Sequence, residues 1–170
     1  KISEALSQYQ GEPGRCHPLE GVKNTNLIDD TYNSSPIAVA AALEVLKDLS
    51  APRKVAILGD MAELGQYTNY AHEEAGKLAV GAADVLVTVG GKGRFIADSA
   101  EKHSLSKKNI YSFADAREAV KSIKDIIELH DLILIKGSQS MRMERIVMEI
   151  MASPEEAAKL LVRQYGKWLR

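Results

Sequence analysis

The sequence predicts an α/β fold: a three-layer domain with a mostly parallel sheet of about six strands, one antiparallel edge strand, and helices on both faces. Three observations carry this. Across residues 25–151 short β-type runs alternate with helical patterns, the order that builds parallel sheets through crossover helices. The runs are almost wholly apolar, as strands covered on both faces must be. Finally, 170 residues with 45% apolar side chains suffice for one hydrophobic core, so a single domain is expected.

In chain order, residues 19–29 read as a hairpin turning near Lys23 and Asn24, which supplies the antiparallel edge strand. Its second arm holds Leu27 and Ile28. Ser34 or Ser35 caps a helix with Pro36 in its first position, and Val39, Ala42, Leu43, Leu46 and Leu49 form its buried stripe before Pro52 stops it. Val55-Ala56-Ile57-Leu58 and Val85-Leu86-Val87-Thr88-Val89 are the next strands, Asn109-Ile110-Tyr111 is a shorter one, and Leu132-Ile133-Leu134-Ile135 is the last. Ser112, followed three residues later by Asp115, resembles a capping box, with Ala116, Ala119, Val120, Ile123 and Ile127 on one helical face behind it. From Met141 another helix buries Met143, Ile146, Val147, Ile150 and Met151 and turns Arg142 and Glu144 away. After Ser153 and Pro154 a final helical pattern runs through Ala157, Leu160, Leu161 and Trp168. Residues 1–153 are thus expected as the domain, and residues 154–170 as a helical tail that docks on it or on another domain.

Composition narrows the function. Lys and Arg total 22 against 23 Asp and Glu, a formal charge of −1, so nothing supports a nucleic-acid surface or a polybasic membrane anchor. One cysteine, Cys16, excludes an internal disulfide and any CxxC motif, and suits a reducing compartment. No apolar run approaches the roughly 18 residues of a spanning helix, and a cytoplasmic protein is expected. The chain begins at Lys1 rather than Met, which suggests a longer parent polypeptide. Hydrolase motifs are missing: there is no Gly-x-Ser-x-Gly, and His17, His72, His103 and His130 have no metal-ligand spacing. Lys77, Lys92 and Lys167 all lack the Ser or Thr that follows a P-loop lysine, so the glycines at 90, 91 and 93 read as a tight turn rather than a phosphate cradle.

Ligands of open α/β sheets bind beyond the carboxyl ends of the strands, and four polar segments fall there. Asp29-Asp30-Thr31-Tyr32-Asn33 precedes a helix start, whose free N–H groups suit an anion while the carboxylates suit an ammonium or a ribose hydroxyl. A capping turn accounts for the same residues equally well. Lys136-Gly137-Ser138 offers a cation, a closely approachable backbone and a hydroxyl, fitting a carboxylate or phosphate, or simply forming a glycine turn with a solvated lysine. Gly59-Asp60 reads as a turn that leaves Asp60 exposed and available to a ligand. Cys16 beside Arg15 reads as an ordinary thiol near a strand start.

Taken together, Asp29-Asp30-Thr31-Tyr32-Asn33-x-x-Pro36, Leu58-Gly59-Asp60-Met61-x-Glu63-Leu64-Gly65 and Lys136-Gly137-Ser138-x-Ser140-Met141-Arg142-Met143-Glu144 resemble the C-terminal domain of the bacterial Mur ligases. Within that family the likeness is to the branch that adds D-alanyl-D-alanine to the UDP-N-acetylmuramoyl-tripeptide. The resemblance implies a Rossmann-like sheet and a three-domain ligase, in which an N-terminal domain grips the UDP precursor and a central one carries the P-loop, ATP and Mg2+. The family forms an acyl phosphate on the precursor carboxylate, then lets the incoming amine displace phosphate. By the same resemblance Arg15 and Asp30 approach the ATP adenosine, and Asp29, Asn33, Asp60, Lys136 and Ser138 face the dipeptide. No catalytic or metal-binding residue is expected within this domain alone, and the implied partners are the small-molecule substrates and the ligase's own other domains, in a monomer. Ser35 stands where this branch usually has Asn. Alternatives are another Mur or folylpolyglutamate-type ligase, or a stand-alone α/β ligand-binding module.

Overall fold

The computed structural model describes residues 11–169, apart from the side chains of residues 167 and 169. Six strands form one sheet: β1 (His17–Gly21), β2 (Thr25–Asp30), β3 (Lys54–Gly59), β4 (Val85–Val89), β5 (Ile110–Phe113) and β6 (Leu132–Lys136), in the order β1-β2-β6-β3-β4-β5. Only β1 runs antiparallel, paired with β2 across a single 3-10 turn at Val22–Asn24 in which Lys23 and Asn24 take left-handed φ of 56° and 52°. The predicted hairpin and edge strand are therefore present, with β1 beginning two residues earlier than residue 19.

The strands are apolar because each face meets a helical layer. In β6, Ile133 and Ile135 point into one core and Leu132 and Leu134 into the other; in β3, Val55 and Ile57 alternate with Ala56 and Leu58 in the same way. One layer consists of α1 (Pro36–Asp48), α2 (Thr68–Val80) and α3 (Gly93–Lys102). The other is built from α4 (Ala116–Val120), α5 (Ile123–Ile126), α6 (Glu144–Ile150) and α7 (Ala157–Leu160). Ser35 is the cap of α1: its hydroxyl accepts from the Ala38 amide at 3.3 Å, and Pro36 follows in the first turn.

Several sequence expectations need correction. Leu49 lies beyond the end of α1 and is exposed, so the buried stripe ends at Leu46. The cap of α4 is Asp115, which accepts from the Glu118 amide at 2.9 Å, while Glu118 accepts from the Ala114 amide at 2.6 Å. Ser112 instead lies in β5 and accepts a hydrogen bond from Thr88 Oγ1 at 2.9 Å. The helix expected behind it is two short pieces, because Ser122 leaves helical geometry at φ −120°, ψ −12°. The tail helix stops at Leu160 and does not continue to Trp168. Glu144 does not turn outward but is fully buried. No helix is long and apolar enough to cross a membrane among the described residues.

The two layers set the place for a site. The chain leaves β2 toward α1 on one face and leaves β6 toward α6 on the other, although β2 and β6 are neighbours in the sheet. Their following loops diverge, and a crevice opens between them at the carboxyl ends of β2, β6 and β3.

Candidate functional site

Two adjoining clefts occupy that crevice. The first, of about 450 Å³, lies between the entry to β1, the end of β2, α1 and Lys136. The second, of about 360 Å³, lies between residues 62–64 after β3 and residues 138–140 after β6. Residues 33–35 form the wall common to both.

Parallel register sets Asp30 directly opposite Lys136. The Lys136 ammonium lies 2.6 Å from Asp30 Oδ2 and donates to the Asn33 carbonyl at 3.0 Å, with its side chain 2% exposed. Lys136, expected either as a cation for a ligand anion or as a solvated lysine, is thus engaged as a buried tie between β6 and the loop after β2. Asp30 also accepts from the Cys16 amide at 3.2 Å, so the pair fixes the start of β1 as well.

Asp29 points away from the clefts into the protein. Its carboxylate accepts from the Gly14 amide at 3.1 Å, the Thr31 amide at 3.1 Å and the Thr31 hydroxyl at 2.6 Å, and it is completely buried. Burial pushes its pKa up to about 6, against those hydrogen bonds and the charge of His17. No face of this carboxylate is left for a substrate.

Asp60 is half-buried rather than exposed, and both its oxygens accept the Lys92 amide, at 3.0 and 3.1 Å. The turn that supplies this amide needs Gly90 at φ +113°, where a Cβ would stand 2.5 Å from the Asp60 carboxyl carbon. Ser138 is buried and accepts the Ala62 amide at 2.8 Å, while its own amide donates to the Asp60 carbonyl at 3.0 Å. His72, which the sequence reading set aside as a lone histidine, accepts the Met61 amide at 3.0 Å and so fixes the same loop from inside. Asp60, Ser138 and His72 together hold the loops that wall the second cleft.

Exposed groups on the clefts include Arg15, Cys16, Tyr32, Asn33, Ser35 and Ser140. Arg15 stacks on the Tyr32 ring, with its guanidinium carbon 4.1 Å from the ring centre, and forms a flat cationic-aromatic wall of the first cleft. Ser34, the other cap candidate for α1, does not cap: its hydroxyl oxygen is buried without a hydrogen-bond partner in the wall between the clefts. Such an orphan usually marks a place where a water or ligand group completes the bonding. No group of three or more His, Cys, Asp or Glu able to hold a metal ion occurs among the described residues.

An α/β sheet with divergent loops, an Asp–Lys tie and paired clefts at that position has the form of an open-sheet domain with its crevice at the switch point. The chain belongs to the Mur ligase family as its C-terminal domain: the family described as "Mur ligase, glutamate ligase domain" matches residues 14–139. The UDP-N-acetylmuramoyl-tripeptide--D-alanyl-D-alanine ligase of Bacillus subtilis is 34% identical over 154 residues, covering 89% of this chain and 34% of that protein. The enzyme of the same name from Rickettsia prowazekii is 37% identical over 127 residues, covering 74% of this chain and 27% of its own length. Among solved structures, MurF from Acinetobacter baumannii superposes with a TM-score of 0.72 at 28% identity, over 86% of this chain and 32% of that one. The chain therefore spans about a third of the length of these relatives.

Proposed function

We propose that this chain, with residues 1–153 as the domain proper and 154–170 as its docked tail, is the C-terminal part of an ATP-dependent ligase. The ligase joins D-alanyl-D-alanine to a UDP-N-acetylmuramoyl-tripeptide in the cytoplasmic synthesis of peptidoglycan precursor. The observation that carries this reading is the pair of adjoining clefts sharing residues 33–35, since two ligands must meet in such a reaction. In the first cleft the Arg15–Tyr32 stack suits a purine, and Asp30 suits a ribose hydroxyl. In the second, the Asn33 amide and the Ser140 hydroxyl suit the polar ends of a dipeptide, with Ser138 holding the wall behind them.

In this reaction the precursor carboxylate attacks the γ-phosphorus of ATP, the bond to the bridging oxygen breaks, and ADP leaves. The dipeptide amine then attacks the acyl phosphate carbon, forms the amide and expels inorganic phosphate, losing a proton. Among the described residues there is no P-loop and no group of three or more His, Cys, Asp or Glu able to hold a metal ion, and we assign the ATP phosphates and Mg2+ to the ligase's central domain. This domain's contribution is to position the two ligands and exclude water as it closes. Holding the amine in line can contribute on the order of 7–11 kcal/mol at its upper limit.

The test uses the complete ligase carrying this domain. Arg15→Ala is expected to raise KM for ATP, and Asn33→Ala to raise KM for D-alanyl-D-alanine, each by about tenfold, a loss of about 1.4 kcal/mol. Unchanged constants in both variants would overturn the site assignment. Acceptance of single amino acids in place of the dipeptide would move the domain to another branch of the family.

A further inference from the structure

The C-terminal segment reaches back to the loop that separates the clefts. Glu144, at the start of α6 and fully buried, is held by two arginines: Arg142 Nε lies 2.5 Å from Oε1, and Arg163 Nε and Nη2 lie 3.1 and 2.9 Å from Oε2. Arg163 is itself 5% exposed. Its remaining donors go to main-chain oxygens at the end of β2: Nη2 donates to the Thr31 carbonyl, and Nη1 donates to the Tyr32 carbonyl at 3.1 Å. One guanidinium therefore bonds a buried carboxylate and two consecutive peptide groups, which a lysine has neither the fork nor the number of directed donors to reproduce.

The same loop is bonded on its other edge. The Tyr32 amide donates to the Gly14 carbonyl at 2.9 Å, and the Thr31 amide donates to Asp29. With Arg163 in place, both N–H and C=O groups of Thr31 and Tyr32 are satisfied by protein. The tail also packs directly here: a Cβ on Gly14 would come 2.8 Å from Val162 Cγ1 and 2.9 Å from the Tyr32 amide nitrogen. Arg163 takes a left-handed φ of +60° to reach this position, and Arg142 donates to the Trp168 carbonyl to hold the segment beyond it. A third cleft of about 520 Å³, walled by residues 161–165, lies on the far side of Arg15 and Tyr32, so the stacked pair stands between tail and first cleft.

We propose that Arg163 and Glu144 are positioning residues for the ligand clefts: the C-terminal segment is a strap that fixes the Thr31–Tyr32 backbone and, through it, the Arg15–Tyr32 wall. Burial of Leu161 and Ala157 would dock the tail without any charge; the ion pair adds a defined register between tail and loop. The matched family region ends at residue 139, before either residue. The role rests on the ligand assignment proposed above, and the experiment separates the two.

Hydrogen exchange and ADP titration, both followed by NMR on the complete ligase carrying this chain, supply independent readouts. Arg163→Ala is expected to speed exchange of the Tyr32 amide about tenfold and to weaken ADP about fivefold, with β3 and β4 amides unchanged. Glu144→Gln should weaken ADP in the same direction, because it acts through Arg163, and Arg163→Lys should fall between Arg163→Ala and the parent chain. If Arg163→Ala does not fold, the Lys and Gln variants carry the test. Variants that bind ADP as the parent does overturn the positioning role, whether or not Tyr32 exchange changes. A complete ligase whose ADP and D-alanyl-D-alanine binding are both untouched by Arg15→Ala and Asn33→Ala overturns the ligand assignment, and the positioning role with it.

Discussion

The Asp30–Lys136 tie can be tested as a thermodynamic cycle. Asp30→Asn leaves an ammonium, with its side chain only 2% exposed, without a counter-charge and facing only neutral acceptors, the Asn33 carbonyl and the new side-chain amide oxygen. Stranding a buried charge in this way costs about 3–5 kcal/mol. Lys136→Met keeps the length of the side chain and removes the charge. Asp30 is then unpaired, but its side chain is 13% exposed and keeps the Cys16 amide, so water recovers part of the loss and the cost falls to about 2–3 kcal/mol. The double variant carries neither charge and should be clearly more stable than the sum of the two single losses implies, with a coupling of about 2 kcal/mol or more. Urea unfolding of the four chains, followed by far-UV circular dichroism, gives each corner. A coupling below about 0.5 kcal/mol, within the scatter of independent sites, would refute the tie as a structural element. The result also governs how activity losses at these positions are read, since a variant that loosens β6 from the loop after β2 disturbs both clefts without touching a ligand.

Two further predictions concern titration near the same hairpin. Because burial holds Asp29 near pH 6 when folded against 3.8 otherwise, the folded chain binds the extra proton between those values, and the stability this contributes at low pH is lost as pH rises through about 6. Parent minus Asp29→Asn stability should therefore fall by about 3 kcal/mol across that window in a pH series of urea midpoints, and a flat difference would contradict the assignment. At Cys16, burial and the Asp30 carboxylate push the thiol up while Lys136 opposes them. Its alkylation by iodoacetamide should accelerate in Asp30→Asn at neutral pH, and a slower or unchanged rate would refute the electrostatic account.

The framework was legible because double-sided burial leaves strands almost purely Val, Ile and Leu, and because Ser35-Pro36 announces its helix without help from tertiary contacts. What misled was spacing that occurs twice. Ser112 to Asp115 and Asp115 to Glu118 offer the same interval, and only the bond from Thr88 to Ser112 commits the first of them to the sheet. Glu144 occupies an outward position on a helical wheel, and nothing local discloses that Arg163, 19 residues later, will cover it. At the site, the rule that ligands gather beyond strand ends located the segments that wall the clefts, but it could not say which side chains remain free. Asp29, Asp60 and Ser138 are engaged by the amides of Gly14, Lys92 and Ala62, which lie in other segments of the chain.

That division bears on how the domain works. The buried polar groups bond loops to one another: Asp29 joins β1's entry to the end of β2, Asp30 and Lys136 join β2 to β6, and Ser138 and Asp60 join the loops after β3, β4 and β6. Arg15, Tyr32, Asn33 and Ser140 are among the groups left at the surface of the clefts, where the proposed ligands would meet them. A site that works by position must hold such groups within about half an ångström of their working geometry, and long surface loops do not do so unaided. The internal bonding provides this constraint here, so the residues most conspicuous as ligands in the sequence are largely the ones that keep the less conspicuous ones in place.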